Sequence, residues 1–173
     1  MTHTILVAYA SKYGATKEIA ERIGAVMAGA GLNVDVKPVD KVRDPAPYGA
    51  VVLGSAVYMG QWRKEAAKFL KGNADALAER PVWLFASGPT EEGDPVELME
   101  GWVIPPGLKT TVERIAPREV TVFGGSLDMA NLNFAERAII KKVEAPTGDY
   151  RDWTAIEAWA ARVAEAIRQS VPA

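Results

Sequence analysis

The stretch from Thr4 to Thr16, with the sequence TILVAYASKYGAT, holds the pattern that decides the fold. Its first part, Thr4 to Ala10, is a nearly continuous apolar run, which is typical of a central strand buried on both faces of a sheet. Its second part, residues 11–16, places hydroxyl side chains and a glycine directly before a helical pattern. A buried strand followed at once by a helix predicts a parallel sheet covered by helices.

The rest of the chain continues this alternation of apolar runs and helical patterns. Further strands are predicted at residues 32–39, 50–54, 82–86 and 119–124. Helices are predicted at residues 16–30, 62–77, 131–143 and 152–170, with a short one around 108–115 and a loop at 147–150. Because right-handed crossovers are nearly obligatory, the helices must be shared between both faces of the sheet. The sequence therefore predicts one three-layer α/β domain over residues 1–173, built around a five-stranded parallel sheet.

Composition excludes several classes of function. The chain of 173 residues has no cysteine, which excludes disulfides, thiol catalysis and cysteine-ligated metals. Its single histidine, His3, leaves little for a histidine base or a histidine-bound metal, so we expect no catalytic side chain and no metal site. Lysine and arginine number 20 against 22 acidic residues, and the resulting net charge of -2 does not support a nucleic-acid partner.

The sequence also bears on location. No apolar run approaches the ~20 residues of a membrane span. Met1 leads directly into strand-like residues, without the basic and apolar regions of a signal peptide. We therefore expect a cytoplasmic protein, and peripheral attachment to the inner face of a membrane stays open, as does the oligomeric state.

The loop after the first strand is the leading candidate site, because ligands of such sheets bind beyond the carboxyl ends of the strands. Ser11 and Thr16 offer hydroxyls, and Gly14 lets the backbone approach an anion closely. The amide groups and dipole of the next helix would then point at a phosphate. Two alternatives stay open: Ser11 or Thr16 could be a turn former or helix cap, and Lys12 could neutralise a phosphate or lie in solvent.

The pattern Ser11-x-x-Gly14-x-Thr16 after an apolar strand resembles the FMN phosphate loop of flavodoxins. The resemblance implies the flavodoxin-like strand order 2-1-3-4-5 and FMN as cofactor. It also implies a phosphate loop formed by Ser11, Lys12, Tyr13, Gly14, Ala15 and Thr16. Flavodoxins often carry more hydroxyls in this loop, where Lys12, Tyr13 and Ala15 stand in this chain.

The same resemblance implies that the loops after the third and fourth strands flank the isoalloxazine ring of the flavin. The implied contacts are Ser55, Ala56, Val57, Tyr58, Met59 and Gly60 in the first loop, and Ser87, Gly88, Pro89, Thr90 and Gly93 in the second. An aromatic residue often stacks on the ring in flavodoxins, and Tyr58 is the favoured candidate. Trp62 could also stack on the ring, or could begin the next helix and pack in the core.

A narrower resemblance covers most of the chain. Residues 54–60 (GSAVYMG), 123–127 (FGGSL) and 148–153 (GDYRDW) are similar to segments of the menaquinone-dependent protoporphyrinogen dehydrogenase branch. That branch implies oxidation of a porphyrinogen substrate by FMN, with a quinone as acceptor at the membrane. Residues 128–143 would then contact the membrane or the quinone, or would simply form an amphipathic helix over the sheet edge.

Three functions remain in competition on the sequence alone. The first is an FMN oxidoreductase of the protoporphyrinogen dehydrogenase type. The second is a flavodoxin carrier that exchanges electrons with a redox partner protein, although a net charge of -2 gives little of the acidic surface that steers such carriers. The third is a flavin-free scaffold or regulatory module on the same fold. Binding of FMN separates the third from the other two.

Overall fold

The computed structural model describes residues 3–58, 60–90, 93–99, 103–144 and 147–170. Met59, which the sequence analysis places in a flavin-binding loop, lies outside the described residues. The strands are β1 (Ile5–Ala10), β2 (Val34–Pro38), β3 (Ala50–Tyr58), β4 (Gln61–Trp62), β5 (Val82–Ser87), β6 (Glu119–Phe123), β7 (Ser126–Leu127) and β8 (Gly148–Asp149).

Seven helices alternate with these strands in the described part of the chain. They are α1 (Ala15–Gly29), α2 (Lys64–Gly72), α3 (Ala74–Ala78), α4 (Pro95–Leu98), α5 (Lys109–Ile115), α6 (Phe134–Lys142) and α7 (Trp153–Ser170). Short 3-10 turns lie at Val39–Lys41, Pro106–Leu108 and Met129–Asn131.

The sheet confirms the predicted fold class. Its five long strands lie in the order β2-β1-β3-β5-β6 and pair in parallel. This is the expected 2-1-3-4-5 order once the short β4 is left out of the count. Strand β4 pairs antiparallel with the end of β3, with Val57 opposite Trp62, and the sequence analysis missed it.

Helices cover both faces of the sheet, as expected. On one face, α1 and α7 pack over a cluster that includes Phe85, Phe123 and Trp159. The Phe123 and Trp159 rings meet edge to face with their centroids 5.6 Å apart, an arrangement that aromatic pairs favour. On the other face, α2, α3 and α5 bury residues such as Leu70, Leu77 and Ile115.

Several predicted element boundaries were wrong, for local physical reasons. Residues 55–58, predicted as a loop, continue β3, because residues 55–56 pair with β5 and residues 57–58 pair with β4. The helix predicted at 62–77 is two helices, since the Asn73 amide donates to the Phe69 carbonyl (2.9 Å) and ends α2. The helix predicted at 131–143 begins only at Phe134, after an Asn133 cap. The loop predicted at 147–150 contains β8, which pairs with β7.

The close packing of Gly54 against Phe85 leads to a testable prediction about stability. An added Cβ at this position in β3 would lie 1.9 Å from Cζ of the buried Phe85 ring. Overpacking of this kind costs about 1–3 kcal/mol, so Gly54→Ala should lower the free energy of unfolding by that amount in urea. Gly29→Ala is the control, because nothing lies within 4 Å of its Cβ position. Equal stability of Gly54→Ala and the wild type would contradict the packing described.

Candidate functional site

A cavity of about 410 Å³ opens where the carboxyl ends of β1, β3 and β5 meet. From the loops singled out in the sequence, it is lined by Ser11, Lys12, Tyr13, Ala15, Thr16, Ala56, Val57, Tyr58, Ser87, Gly88 and Thr90. The three loops after these strands are therefore brought together at one edge of the sheet. The parallel arrangement predicts this meeting, since it places the carboxyl ends side by side.

The other described candidate residues, Gly14, Ser55, Gly60, Pro89 and Gly93, are not among those that line the cavity. Ser55 is buried, and its hydroxyl donates to the Ala56 carbonyl and accepts from the Arg63 amide (3.0 Å). Gly14, Gly60 and Gly93 adopt positive φ angles of 95°, 72° and 134°, which glycine tolerates without strain. The carbonyl of Pro89 accepts a hydrogen bond from Gly125 at 2.7 Å.

The loop before α1 presents free donors at one end of the cavity. Ser11 Oγ accepts a hydrogen bond from the Gly14 amide (3.0 Å), and Gly14 is the N-cap residue of α1. No side chain caps this helix, so Ser11 is a turn former and Thr16 is not a cap. The first-turn amides of Ala15, Thr16 and Lys17 have no partner in the helix ladder. Together with the helix dipole, they suit a phosphate or another anion.

Lys12 does not lie free in solvent. Its ammonium group forms an ion pair with Glu136 of α6 at 2.9 Å. It also lies 5.1 Å from the ring centroid of Tyr13 and 5.8 Å from that of Tyr58. The hydrogen bond from Lys12 holds the pKa of the Glu136 carboxyl below its usual value. Lys12 thus links the loop before α1 to α6, on the opposite side of the cavity.

The two aromatic candidates for ring stacking, Tyr58 and Trp62, differ in their exposure. Tyr58 lines the cavity and its residue surface is 52% exposed, so its ring is accessible to a ligand. Trp62 is buried in the core beside α2, and its Nε1 donates to the Val103 carbonyl at 3.2 Å. Trp62 is therefore a core residue, and Tyr58 is the aromatic side chain available for stacking.

The flavin contacts implied by the resemblance do not include the outer wall of the cavity. The cavity is also lined by Arg63, Gly125, Ser126, Leu127, Leu132, Glu136, Ile139 and Ile140. The pair Gly124-Gly125 was an available signal, because two glycines directly after a strand indicate a close backbone approach. A Cβ on Gly124 would lie 2.1 Å from the Tyr150 carbonyl oxygen, and one on Gly125 would lie 2.9 Å from that of Gly88.

Arg151 ties the start of α1 to the β7–β8 ribbon. It forms ion pairs with Glu18 and Asp149, each at 2.8 Å, and its side chain is only 10% exposed. The hydrogen bond to Asp149 raises the pKa of Arg151, and the same bond lowers the pKa of the Asp149 carboxyl. Because Arg151 pairs with Glu18, it offsets a negative charge in the first turn of α1, beside the anion-binding donors.

The residues that line the cavity are suited to binding a ligand rather than to acid–base catalysis. One end of the cavity offers amide and hydroxyl donors for an anion, and the rest offers apolar walls and an exposed tyrosine ring for a flat molecule. The described residues contain no cluster of side chains able to hold a metal ion. The helices of the described part of the chain are all too short or too polar to serve as membrane spans.

Comparison with known proteins gives one family and many similar folds. The family model described as a flavodoxin domain matches residues 6–154. No curated protein matches the chain. Among solved structures, a flavodoxin from the domain Archaea is similar over 95% of this chain and 99% of its own, with 14% identity and a TM-score of 0.60.

Two further structures show the range of proteins that share the fold. A point mutant of a flavodoxin from Pseudomonas aeruginosa has 16% identity and a TM-score of 0.58, with 95% of this chain and 99% of that chain covered. The rubredoxin oxygen:oxidoreductase of Desulfovibrio gigas has 12% identity and a TM-score of 0.62 over 97% of this chain, but only 37% of its own length is matched. Similarity at these identities shows the fold alone.

The Arg151 ion pairs predict how stability depends on pH. The folded pKa of Asp149 lies below its unfolded value, so its stabilising effect is complete above about pH 4 and is lost as the pH falls through the folded pKa. Arg151→Gln should therefore lower the urea midpoint at neutral pH, and the difference from the wild type should shrink toward pH 3. Arg162→Gln, which breaks an exposed pair with Glu119, is the control. A difference that stays constant with pH would contradict this account.

Proposed function

Because the chain belongs to the flavodoxin domain family, whose cofactor is FMN, we propose that it binds FMN in the cavity described and carries electrons for a redox partner protein. One observation carries the proposal: a single cavity joins free anion donors at the start of α1 to apolar walls beside the accessible ring of Tyr58. FMN has the same two parts, a phosphate and a flat aromatic ring.

The phosphate would be held at the start of α1. Ala15, Thr16 and Lys17 supply first-turn amides, and the hydroxyl residues Ser11 and Thr16 also line this end of the cavity. A phosphate at a helix N-terminus is stabilised by these amides and by the helix dipole. Lys12 adds a positive charge nearby, which its ion pair with Glu136 partly neutralises.

The isoalloxazine ring would lie between the ends of β3 and β5 and the outer wall. Tyr58 offers an aromatic face, and Ala56, Val57 and Gly88 leave room beside it. The bound flavin supplies the redox chemistry, so the protein has only to bind, orient and shield it. This division of roles fits a cavity whose described lining residues include neither cysteine nor histidine.

FMN binding tests the proposed function and separates it from a flavin-free scaffold. FMN should bind much more tightly than riboflavin, which lacks the phosphate, in titrations of flavin fluorescence. Thr16→Ala should weaken FMN binding by about 1.5–3 kcal/mol, the scale of a hydrogen bond to a charged group, and should leave riboflavin binding nearly unchanged. Thr110→Ala, an exposed change on α5, is the control. Equal affinity for FMN and riboflavin would contradict a phosphate-binding role for this loop.

Oxidation of protoporphyrinogen IX, with a quinone as acceptor, is the second candidate. Segments 54–60, 123–127 and 148–153 resemble that branch. The second and third meet because β7 pairs with β8, and Gly88 packs between Val57 of the first segment and Gly125 of the second. Phe134, Ile139 and Val143 of the adjoining α6 region are exposed, with Phe134 at 90%. Such a surface suits an apolar substrate, or peripheral contact with the inner face of a membrane.

An anaerobic assay distinguishes the two candidates. For the dehydrogenase, FMN-loaded protein should generate porphyrin fluorescence from protoporphyrinogen IX above the autoxidation rate, with a menaquinone analogue as acceptor. For the carrier, no such rate appears, and reduction of the bound flavin proceeds in two separate one-electron steps. Absence of porphyrin formation with FMN bound and several quinones tried would eliminate the dehydrogenase.

A further inference from the structure

Residues 126–144, here called the cover segment, form the outer wall of the cavity. Leu127, Leu132, Glu136, Ile139 and Ile140 of this segment all line it. Within the segment, which the structure describes throughout, only Leu132 and Ile140 are buried. Apart from the pairing of β7 with β8, the cover segment therefore contacts the body of the domain through little buried apolar surface.

The base of the cover segment is fixed. The Gly125 amide donates to the Pro89 carbonyl at 2.7 Å, and the Gly125 carbonyl accepts from the Tyr150 amide at 2.9 Å. Gly124 and Gly125 pack so closely on Tyr150 and Gly88 that a side chain at either position would clash. Any opening of the wall must therefore take place beyond this base, in α6.

The Lys12–Glu136 ion pair fastens α6 from across the cavity. Lys12 belongs to the loop before α1, whereas Glu136 lies in the first turn of α6, and both residues line the cavity. The ammonium group also lies 5.8 Å from the Tyr58 ring centroid. The pair thus links the proposed phosphate end to the outer wall, close to the proposed ring end.

We propose that the Lys12–Glu136 ion pair is a latch that holds α6 closed over the cavity and thereby controls how fast FMN enters and leaves. For the identity of the ligand, this inference rests on the proposed function. The existence of the latch rests only on the contacts of the FMN-free protein.

The latch is weak enough to open. The side chains of Lys12 and Glu136 are 43% and 23% exposed, so water and salt screen their attraction. Pairs of this kind change an equilibrium by about two- to fivefold. A change of that size is enough to alter the open fraction of α6, which buries only Ile140, without unfolding the domain.

Hydrogen exchange of the FMN-free protein tests the latch directly. Lys12→Gln and Glu136→Gln should each raise exchange of the α6 amides about two- to fivefold, and the double variant should exchange no faster than either single one. Glutamine at position 136 can keep the capping box that Glu136 forms with Asn133. Lys12→Gln leaves α6 itself untouched. The control is Glu157→Gln, which breaks an exposed ion pair with Arg22 far from the cavity.

The outcomes separate the latch from the proposed function. Unchanged α6 exchange in Lys12→Gln, or additive effects in the double variant, would overturn the latch whether or not FMN binds. In stopped-flow fluorescence, Glu136→Gln should raise the FMN dissociation rate constant about two- to fivefold over that of Glu157→Gln. An unchanged rate constant would overturn control of FMN exchange by the latch. Failure of the wild type to bind FMN would overturn the proposed function and leave the exchange result standing.

Discussion

The parallel register of β1, β3 and β5 is the constraint on which the rest of the structure depends. Ala10 at the end of β1 is paired with Ser55, and Ala56 is paired with Ser87 at the end of β5. The three strands therefore deliver their following loops to one edge of the sheet. Their apolar side chains are buried on both faces, so a slip in register would break close packing such as that of Phe85 against Gly54. The cavity is a geometric consequence of that packing.

The binding chemistry of the site follows from the backbone amides and the aromatic ring that the loops leave accessible. Gly14 turns the chain so that α1 starts without a side-chain cap, and its first amides remain available to a ligand. Arg151 holds Glu18 in an ion pair, which offsets a negative charge near these donors. The Tyr58 ring stays accessible at the other end of the cavity, whereas the Trp62 side chain is buried in the core. The domain supplies donors and walls, and the redox chemistry belongs to the flavin.

Much of the fold could be predicted from the sequence, because the long strands and helices carry strong local patterns. The apolar run of β1 and the loop from Ser11 to Thr16 were enough to place the proposed phosphate end. The strand order came from family resemblance, since periodicity does not determine which strands pair. The flavodoxin family model and the order of the long strands confirm that expectation.

The contacts that build the outer wall could not be predicted from local patterns. Strands β7 and β8 have two residues each, and they exist only because they pair with each other across more than twenty residues of chain. The link from Lys12 to Glu136 joins residues far apart in the chain, and an isolated lysine gives no sign of its partner. Local patterns therefore predicted the floor of the site, while its outer wall depends on tertiary contacts.

A crystal structure of the protein grown with FMN is the most direct measurement of the central claim. The account predicts the phosphate within hydrogen-bond distance of the amides of Ala15 and Thr16, and the isoalloxazine ring in the cavity against Tyr58. FMN bound elsewhere on the surface, or a cavity that stays empty at saturating FMN, would contradict it.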